Sequence, residues 1–420
     1  MNPGPTPRDI FNPTDPAAGS VVFDAFDPEH RADPYPRYEI ARAATALHPT
    51  SIGVHLATRY ADCFSIFNDA RWSHAQEGDL LHPDVAASDL PASFLWMDPP
   101  DHTRLRGLVS RAFTPRMVAG LRPRIEQIVS GLVDHALDKG EIDVVSEMSY
   151  PLPLHVIGQM LGVPAADYPT VQGWSRGIAR GFDPDALMSE AEKNARLEAA
   201  RGFVGYFWSM IVERRAHPTD DLISALVAVR DSDDDLLSDV ELVTTCVLLM
   251  NAGYETTVNL VANGMLALLR NPDQLDLLRA QPDLAARAVD ELLRYDAPIH
   301  IATRVASEPI ELAGHTFARG EGVLLLLASA NRDPAAYPDP DRLDLTRFGA
   351  PLPAPAVPRQ LGFGMGMHFC LGAPLARLEM EVLLRALVAR VGKLELASEH
   401  LVYKTNVNFR GLESLPVRFG

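Results

Sequence analysis

The chain has 420 residues, 47% of them hydrophobic, with 38 basic against 55 acidic side chains for a net charge of −17. That is enough apolar material for a large core, while the acidic balance excludes wholesale attraction to nucleic acid or an anionic membrane, and apolar runs such as Val323 to Ala328 fall far short of the roughly 18 residues that suggest a membrane span. Three scattered cysteines, Cys63, Cys246 and Cys370, make no disulfide framework, and the start, Met1-Asn2-Pro3-Gly4-Pro5, lacks the basic-then-apolar order of a signal peptide, so a cytoplasmic protein with no membrane and no nucleic-acid partner is expected.

In chain order, residues 1–20 are rich in Pro, Gly and small polar side chains and predict a mobile tail ahead of one folded unit over 21–420. Asp33-Pro34-Tyr35-Pro36 introduces a helical pattern that runs through Ala46, and Ile52-Gly53-Val54-His55-Leu56 with the run from Tyr60 predicts a short hairpin and another helix. Asp98-Pro99-Pro100-Asp101 opens a further helix on which His102 and Arg106, at i and i+4, share a face and can grip one carboxylate. From residue 100 to 300 the apolar periodicity is mostly helical, broken by Pro151-Leu152-Pro153 and Gly181-Phe182-Asp183-Pro184.

Ser238-Asp239-Val240-Glu241 is a capping box. No proline follows until Pro272, so a helix of about thirty residues is predicted, long for a globular protein. Its middle, Ala252-Gly253-Tyr254-Glu255-Thr256-Thr257, interrupts apolar flanks with a glycine that weakens the helix and with hydroxyls that can bond back to the preceding turn and bend the axis. Glu291-Leu292-Leu293-Arg294 places opposite charges at i and i+3. Strand-like runs follow at Ile310-Glu311-Leu312, 323–327 and Leu394-Glu395-Leu396. No repeat divides the chain, and the pattern predicts a mainly α fold with small β-sheets.

The most informative stretch is Phe363-Gly364-Met365-Gly366-Met367-His368-Phe369-Cys370-Leu371-Gly372, one cysteine in a glycine-punctuated loop just ahead of the helix-forming run Ala373-Pro374-Leu375-Ala376-Arg377. The glycines let the backbone approach a flat ligand closely, and Pro374 suits a helix start. A sulfur at such a place faces unpaired amides and the positive end of the helix dipole, which favour the thiolate an iron ligand must be.

In its Phe, Gly, Gly, His, Cys and Gly this loop resembles the haem-binding loop of the cytochrome P450 family, the haem-thiolate monooxygenases. The likeness extends from Asp33-Pro34-Tyr35-Pro36 to Arg410-Gly411-Leu412. The resemblance implies a single-domain, mainly α cytochrome P450 fold, a triangular helical lobe plus a β-rich lobe, of the soluble bacterial type. It implies haem b with Cys370 as axial ligand, Phe363 and Gly364 shaping the loop, and His102, Arg106, Arg304 and His368 holding the propionates. Glu255 and Thr256 match the acid–alcohol pair, in which the alcohol orients dioxygen and its water while the acid relays protons inward. Glu291, Arg294 and Arg347 match the family's structural triad.

By the same likeness the substrate pocket draws on residues 80–95 with His82, on 177–187, and on Leu249, Ala252, Ile299, His300 and Val407, a lining that suits a hydrophobic small molecule. Electrons from NAD(P)H are expected through a ferredoxin reductase and a ferredoxin, the latter steered by Arg104, Arg111 and Arg359. The expected reaction is hydroxylation or epoxidation. Oxidative coupling or ring formation on the same fold, and a non-catalytic haem-binding sensor, stay open as alternatives.

Overall fold

The computed structural model describes residues 31–49, 54–75, 80–86, 88, 90–232, 237–349 and 357–420; the segment read as a tail, 1–20, lies outside them. The longer helices in chain order are α1 (Tyr35–Ala44), α2 (Tyr60–Asn68), α3 (Asp101–Ala112), α4 (Arg122–Lys139), α5 (Pro151–Met160), α6 (Tyr168–Arg180), α7 (Glu190–Ala216), α8 (Leu222–Ser232), α9 (Asp239–Arg270), α10 (Pro272–Ala280), α11 (Ala285–Tyr295) and α12 (Ala373–Arg390). The mainly α fold expected from the sequence is the one observed. Pro151, expected to interrupt the helical pattern, instead starts α5, where its missing amide costs nothing.

Helix α9 runs through the main core, whose buried apolar side chains come from the helices around it. It is capped as its sequence predicts: Ser238 accepts from Glu241 N while the Glu241 side chain accepts from Ser238 N. The helix runs 32 residues through Gly253, the length expected from its sequence. A Cβ at Gly253 would make ordinary contact, 3.4 Å from Ile157 Cδ1, where α5 packs on α9.

The largest sheet forms a β-rich lobe with its own apolar clusters. β1 (Leu47–Pro49) and β2 (His55–Ala57) make an antiparallel hairpin, β2 runs parallel to β8 (Gly322–Leu326), β8 antiparallel to β5 (Ile301–Ala306), and β5 antiparallel to β3 (Trp72–Ser73). β6 (Ile310–Leu312) and β7 (His315–Phe317) form their own hairpin. β10 (Pro416–Phe419) lies between β4 (Glu141–Asp143) and β9 (Leu394–Leu396), closing the C-terminus onto the helical lobe. The buried, uniformly apolar β8 is why the larger sheet sits inside the molecule rather than on it.

Candidate active site

The cysteine loop is held by its own backbone. Cys370 N donates to Phe363 O at 2.9 Å and Gly364 N to Leu361 O at 2.8 Å. Gly364 and Gly366 have φ of 64° and 66°, values that disfavour any side chain. Gly366 is also required by space, since a Cβ there would stand 2.1 Å from Phe67 O. Phe363 is buried with the Arg377 guanidinium 4.6 Å from its ring centre. The Cys370 thiol sits where the sequence places it, but its acidity is not what the helix dipole alone predicts. Burial raises it most, opposed by the amides of Gly372 and Ala373 and by Arg106 and Arg377. The amides and cations are arranged for a thiolate, and a metal that replaces the proton completes the balance.

Beside the loop lies a concentration of positive groups. His102 and His368 lie with ring centres 4.1 Å apart and their planes tilted by 37°. Arg106, one turn on from His102, donates to Phe369 O and so ties α3 to the cysteine loop. Arg304 projects from β5, its guanidinium 5.2 Å from the Phe67 ring and donating to Thr303 O at 2.6 Å. Sequence reasoning missed a fifth member, His74, whose ring meets His368 edge-on at 4.7 Å and stacks on Trp96 at 5.1 Å. Its backbone N–H donates to Asp98 Oδ1 at 3.0 Å. No spacing in the sequence links residue 74 to 368; the pairing of β3 with β5, the strand that carries Arg304, does so.

This cluster is arranged for an anion. Burial drives His368 down to about 2, reinforced by His74, Arg304, His102 and Arg106. Both ring nitrogens of His102 and Nε2 of His368 are buried without a protein partner. Buried polar atoms that stay unpaired are costly, and carboxylates placed among them would accept from the imidazole N–H groups.

On α9 the half-buried Leu249, the exposed Ala252 and the half-buried Thr256 form one stripe between buried neighbours, Met250, Tyr254, Glu255 and Thr257. Their i, i+3, i+7 spacing sets them on a single face. Thr256 Oγ1 donates to Ala252 O at 2.7 Å, the back-bond its sequence suggests. Glu255 turns the other way and is buried, with Lys404 Nζ 2.5 Å from its Oε1. The same ammonium donates to Asn259 Oδ1 at 2.9 Å and lies 5.1 Å from the Tyr150 ring centre. Burial opposes the Lys404 charge, but Glu255 and Tyr150 outweigh it and raise its pKa. A Cβ on Gly411 would meet Asn259 Oδ1 at 2.0 Å, so this glycine makes room for the amide beside Lys404. Lys404 belongs to no motif and was not legible in the sequence.

Comparison with known proteins agrees with this geometry. The family model described as Cytochrome P450 matches residues 190–392. The chain is 40% identical over 412 residues to the Vitamin D(3) 25-hydroxylase of Pseudonocardia autotrophica, covering 96% of this chain and 98% of that protein. It is 40% identical over 414 residues to the cytochrome P450 monooxygenase PikC of Streptomyces venezuelae, with coverage of 96% and 95%. Its fold matches that of ligand-free CYP164A2 from Mycobacterium smegmatis with a TM-score of 0.85 at 40% identity, over 95% of this chain and 99% of that one.

The chain belongs to the cytochrome P450 family.

It is a P450 monooxygenase whose cofactor is haem b and whose electrons come from redox partners. The residues present fit that group: a half-buried cysteine, a cradle of two arginines and orphaned histidine nitrogens for two propionates, and an open stripe on α9. In this P450, Glu291, Arg294 and Arg347 are brought together. Arg294 grips both Glu291 oxygens at 2.8 Å, and Arg347 Nε lies 3.2 and 3.1 Å from them.

Other expected positions lie in the packed interior. His300 is held between Tyr38 Oη, 2.9 Å from its Nδ1, and Asp296, 3.9 Å from its Nε2. It shares a small cavity of about 30 Å³ with Val407, Tyr38 and Lys404. Val407 is buried in the β-lobe core and its N–H donates to Asp183. Ile299 bridges to Phe409. His82 is buried 3.8 Å from Asp185. Arg104 is paired with Glu241 and Asp101 while still 36% exposed, and Arg111 and Arg359 are exposed. No helix among the described residues is long and apolar enough to cross a membrane.

Proposed function

We propose that this P450 hydroxylates a bulky, hydrophobic ring-bearing small molecule, with electrons delivered by a ferredoxin and its reductase. When bound, haem supplies dioxygen activation, and a thiolate ligand favours O–O cleavage. Cys370 would supply the thiolate that holds the iron. His102, Arg106, Arg304 and His368 would hold the propionates, with His74 beside them. Phe363 and Gly364 would shape the loop that carries the cysteine.

The observation that carries the reading is the division of labour on α9. Ala252 and Thr256 open onto one face, while Glu255 is buried on another with a lysine to hold its charge. A sensor that only binds has no use for a buried acid next to an alcohol. Thr256 holds a hydroxyl at the open face, and Glu255 moves protons toward it from the Lys404 side. The substrate class is supported by relatives named for vitamin D3 and, at 42% identity over 76% of this chain, 6-deoxyerythronolide B.

The test begins with the reduced, carbon-monoxide-bound difference spectrum, followed by spin-state titration with sterol-like and macrolide-like compounds. Product from the best binder is then weighed after turnover under labelled dioxygen. One labelled oxygen atom per product supports hydroxylation. A ring or new bond with no label supports the coupling alternative, which the fold match to CxnD, a P450 for C–S bond formation, also favours, at TM-score 0.82 and 38% identity.

A further inference from the structure

Far along the β-rich lobe, three segments bring metal-ligating side chains to one point. His55 stands on β2, His315 on β7, and Glu321 in the turn that leads into β8. His315 Nε2 lies 2.8 Å and His55 Nδ1 3.1 Å from the same oxygen, Glu321 Oε1. One donor atom from each residue lies within 4.8 Å of the others. The carboxylate is held in place because its other oxygen accepts from Ala318 N at 2.9 Å. The two imidazoles are held by Phe317, whose ring meets His55 at 5.0 Å and His315 at 4.6 Å, both edge-on.

We propose that His55, His315 and Glu321 form a binding site for one divalent cation of the zinc class, separate from the haem site. Two imidazoles and one carboxylate, with a position left for water, is a familiar zinc donor set, with bonds of about 2.0–2.2 Å. Tetrahedral geometry at those lengths sets donors roughly 3.3 Å apart, so the pairs at 2.8 and 3.1 Å need move only a few tenths of an ångström.

A second observation separates this cluster from an ordinary hydrogen-bonded trio. His55 Nδ1 is buried and, although near Glu321, makes no hydrogen bond of acceptable geometry. It is a nitrogen aimed at the cluster whose lone pair or proton is not used there. The side chains of His55, His315 and Glu321 are 17%, 37% and 22% exposed, so a hydrated ion can reach them.

The ion would act as a staple. His55 is opposite Val323 on β8, and Val323 is opposite Arg304 on β5. A cation joining β2, β7 and the start of β8 therefore stiffens the sheet that presents Arg304 to the propionate cradle.

The test uses the untagged, haem-loaded protein after chelator treatment, titrated calorimetrically with zinc chloride at pH 7.5. Saturable uptake of one equivalent is expected. His315→Ala, at an accessible position, should lose at least tenfold in affinity and the zinc-dependent rise in Tm, as should His315→Gln, which keeps the bulk. An unchanged carbon-monoxide difference band in both variants shows that fold and haem loading are intact. No saturable uptake, or one equivalent bound equally well by both variants, overturns the proposal.

Discussion

A carboxylate in the middle of a buried helix needs a partner, and Glu255 finds one in Lys404, 149 positions along the chain. Removing one member of such a pair leaves a buried charge at a cost of roughly 3–5 kcal/mol. Lys404→Met is therefore expected to lower Tm and to shift the pH dependence of turnover, because Glu255 can then stay neutral. Lys404→Arg should restore both. Infrared difference spectra checking for a protonated carboxyl in Lys404→Met provide a readout that does not depend on activity. Thr256→Ala removes the hydroxyl back-bonded to Ala252, and NAD(P)H use should drain into peroxide instead of product; unchanged coupling would remove Thr256 from the proton path. Cys370→Ala should abolish the red-shifted carbon-monoxide band.

His300 makes a stability prediction with a definite sign. Burial pushes it from 6.5 down to about 4 in the folded chain. Between those values the unfolded chain takes up a proton that the folded one refuses, so stability falls as pH drops from 6.5 toward 4. The full effect is on the order of 3 kcal/mol. Thermal unfolding across that range should show a shallower pH dependence in His300→Gln than in the parent; equal slopes would contradict the buried-neutral assignment.

At the scale of elements, α11 and the segment before the cysteine loop are joined by one carboxylate. Glu291 is fully buried with two arginines, and Arg294 also donates to the carbonyls of Asn331, Pro340 and Arg342 at 3.0, 2.7 and 3.1 Å. Asn331 Oδ1 in turn accepts from Leu361 N at 2.8 Å, at the entrance to the loop. The i, i+3 spacing of Glu291 and Arg294 was legible because helix geometry is local. Their burial was not, since most such pairs are solvated and worth under about 1 kcal/mol. Glu291→Gln should lose roughly 3–5 kcal/mol and, because the loop is anchored through this knot, should purify with less haem per chain. Normal haem content in that variant would argue that the triad does not hold the loop.

For the whole molecule, a net charge of −17 still leaves individual basic side chains exposed. Arg111 and Arg359 are exposed, and Met367 in the cysteine loop is 38% exposed. An acidic ferredoxin arriving there would be steered by charge and slowed by salt. Arg111→Glu with Arg359→Glu should reduce the rate of ferredoxin-driven reduction several-fold and flatten its ionic-strength dependence. Reduction by dithionite should be unaffected. An unchanged ferredoxin rate would place the docking surface elsewhere.

Much of this protein is set by local chemistry, and that part was readable from the chain alone. The capping box at Ser238, the back-bonding hydroxyl of Thr256 and the glycine-bounded Cys370 loop depend on residues within a few positions of one another. The tertiary structure decided what long-range pairing controls. It brought His74 to His368 through β3 and β5, Lys404 to Glu255 through the C-terminal segment, and His55 to His315 and Glu321 through the β-rich lobe. It also paired Arg104 with Glu241 and placed His300 in the core. Burial is the common reason: a charge or an imidazole has the same local sequence inside or outside, and only the packing around it sets its partner and its proton.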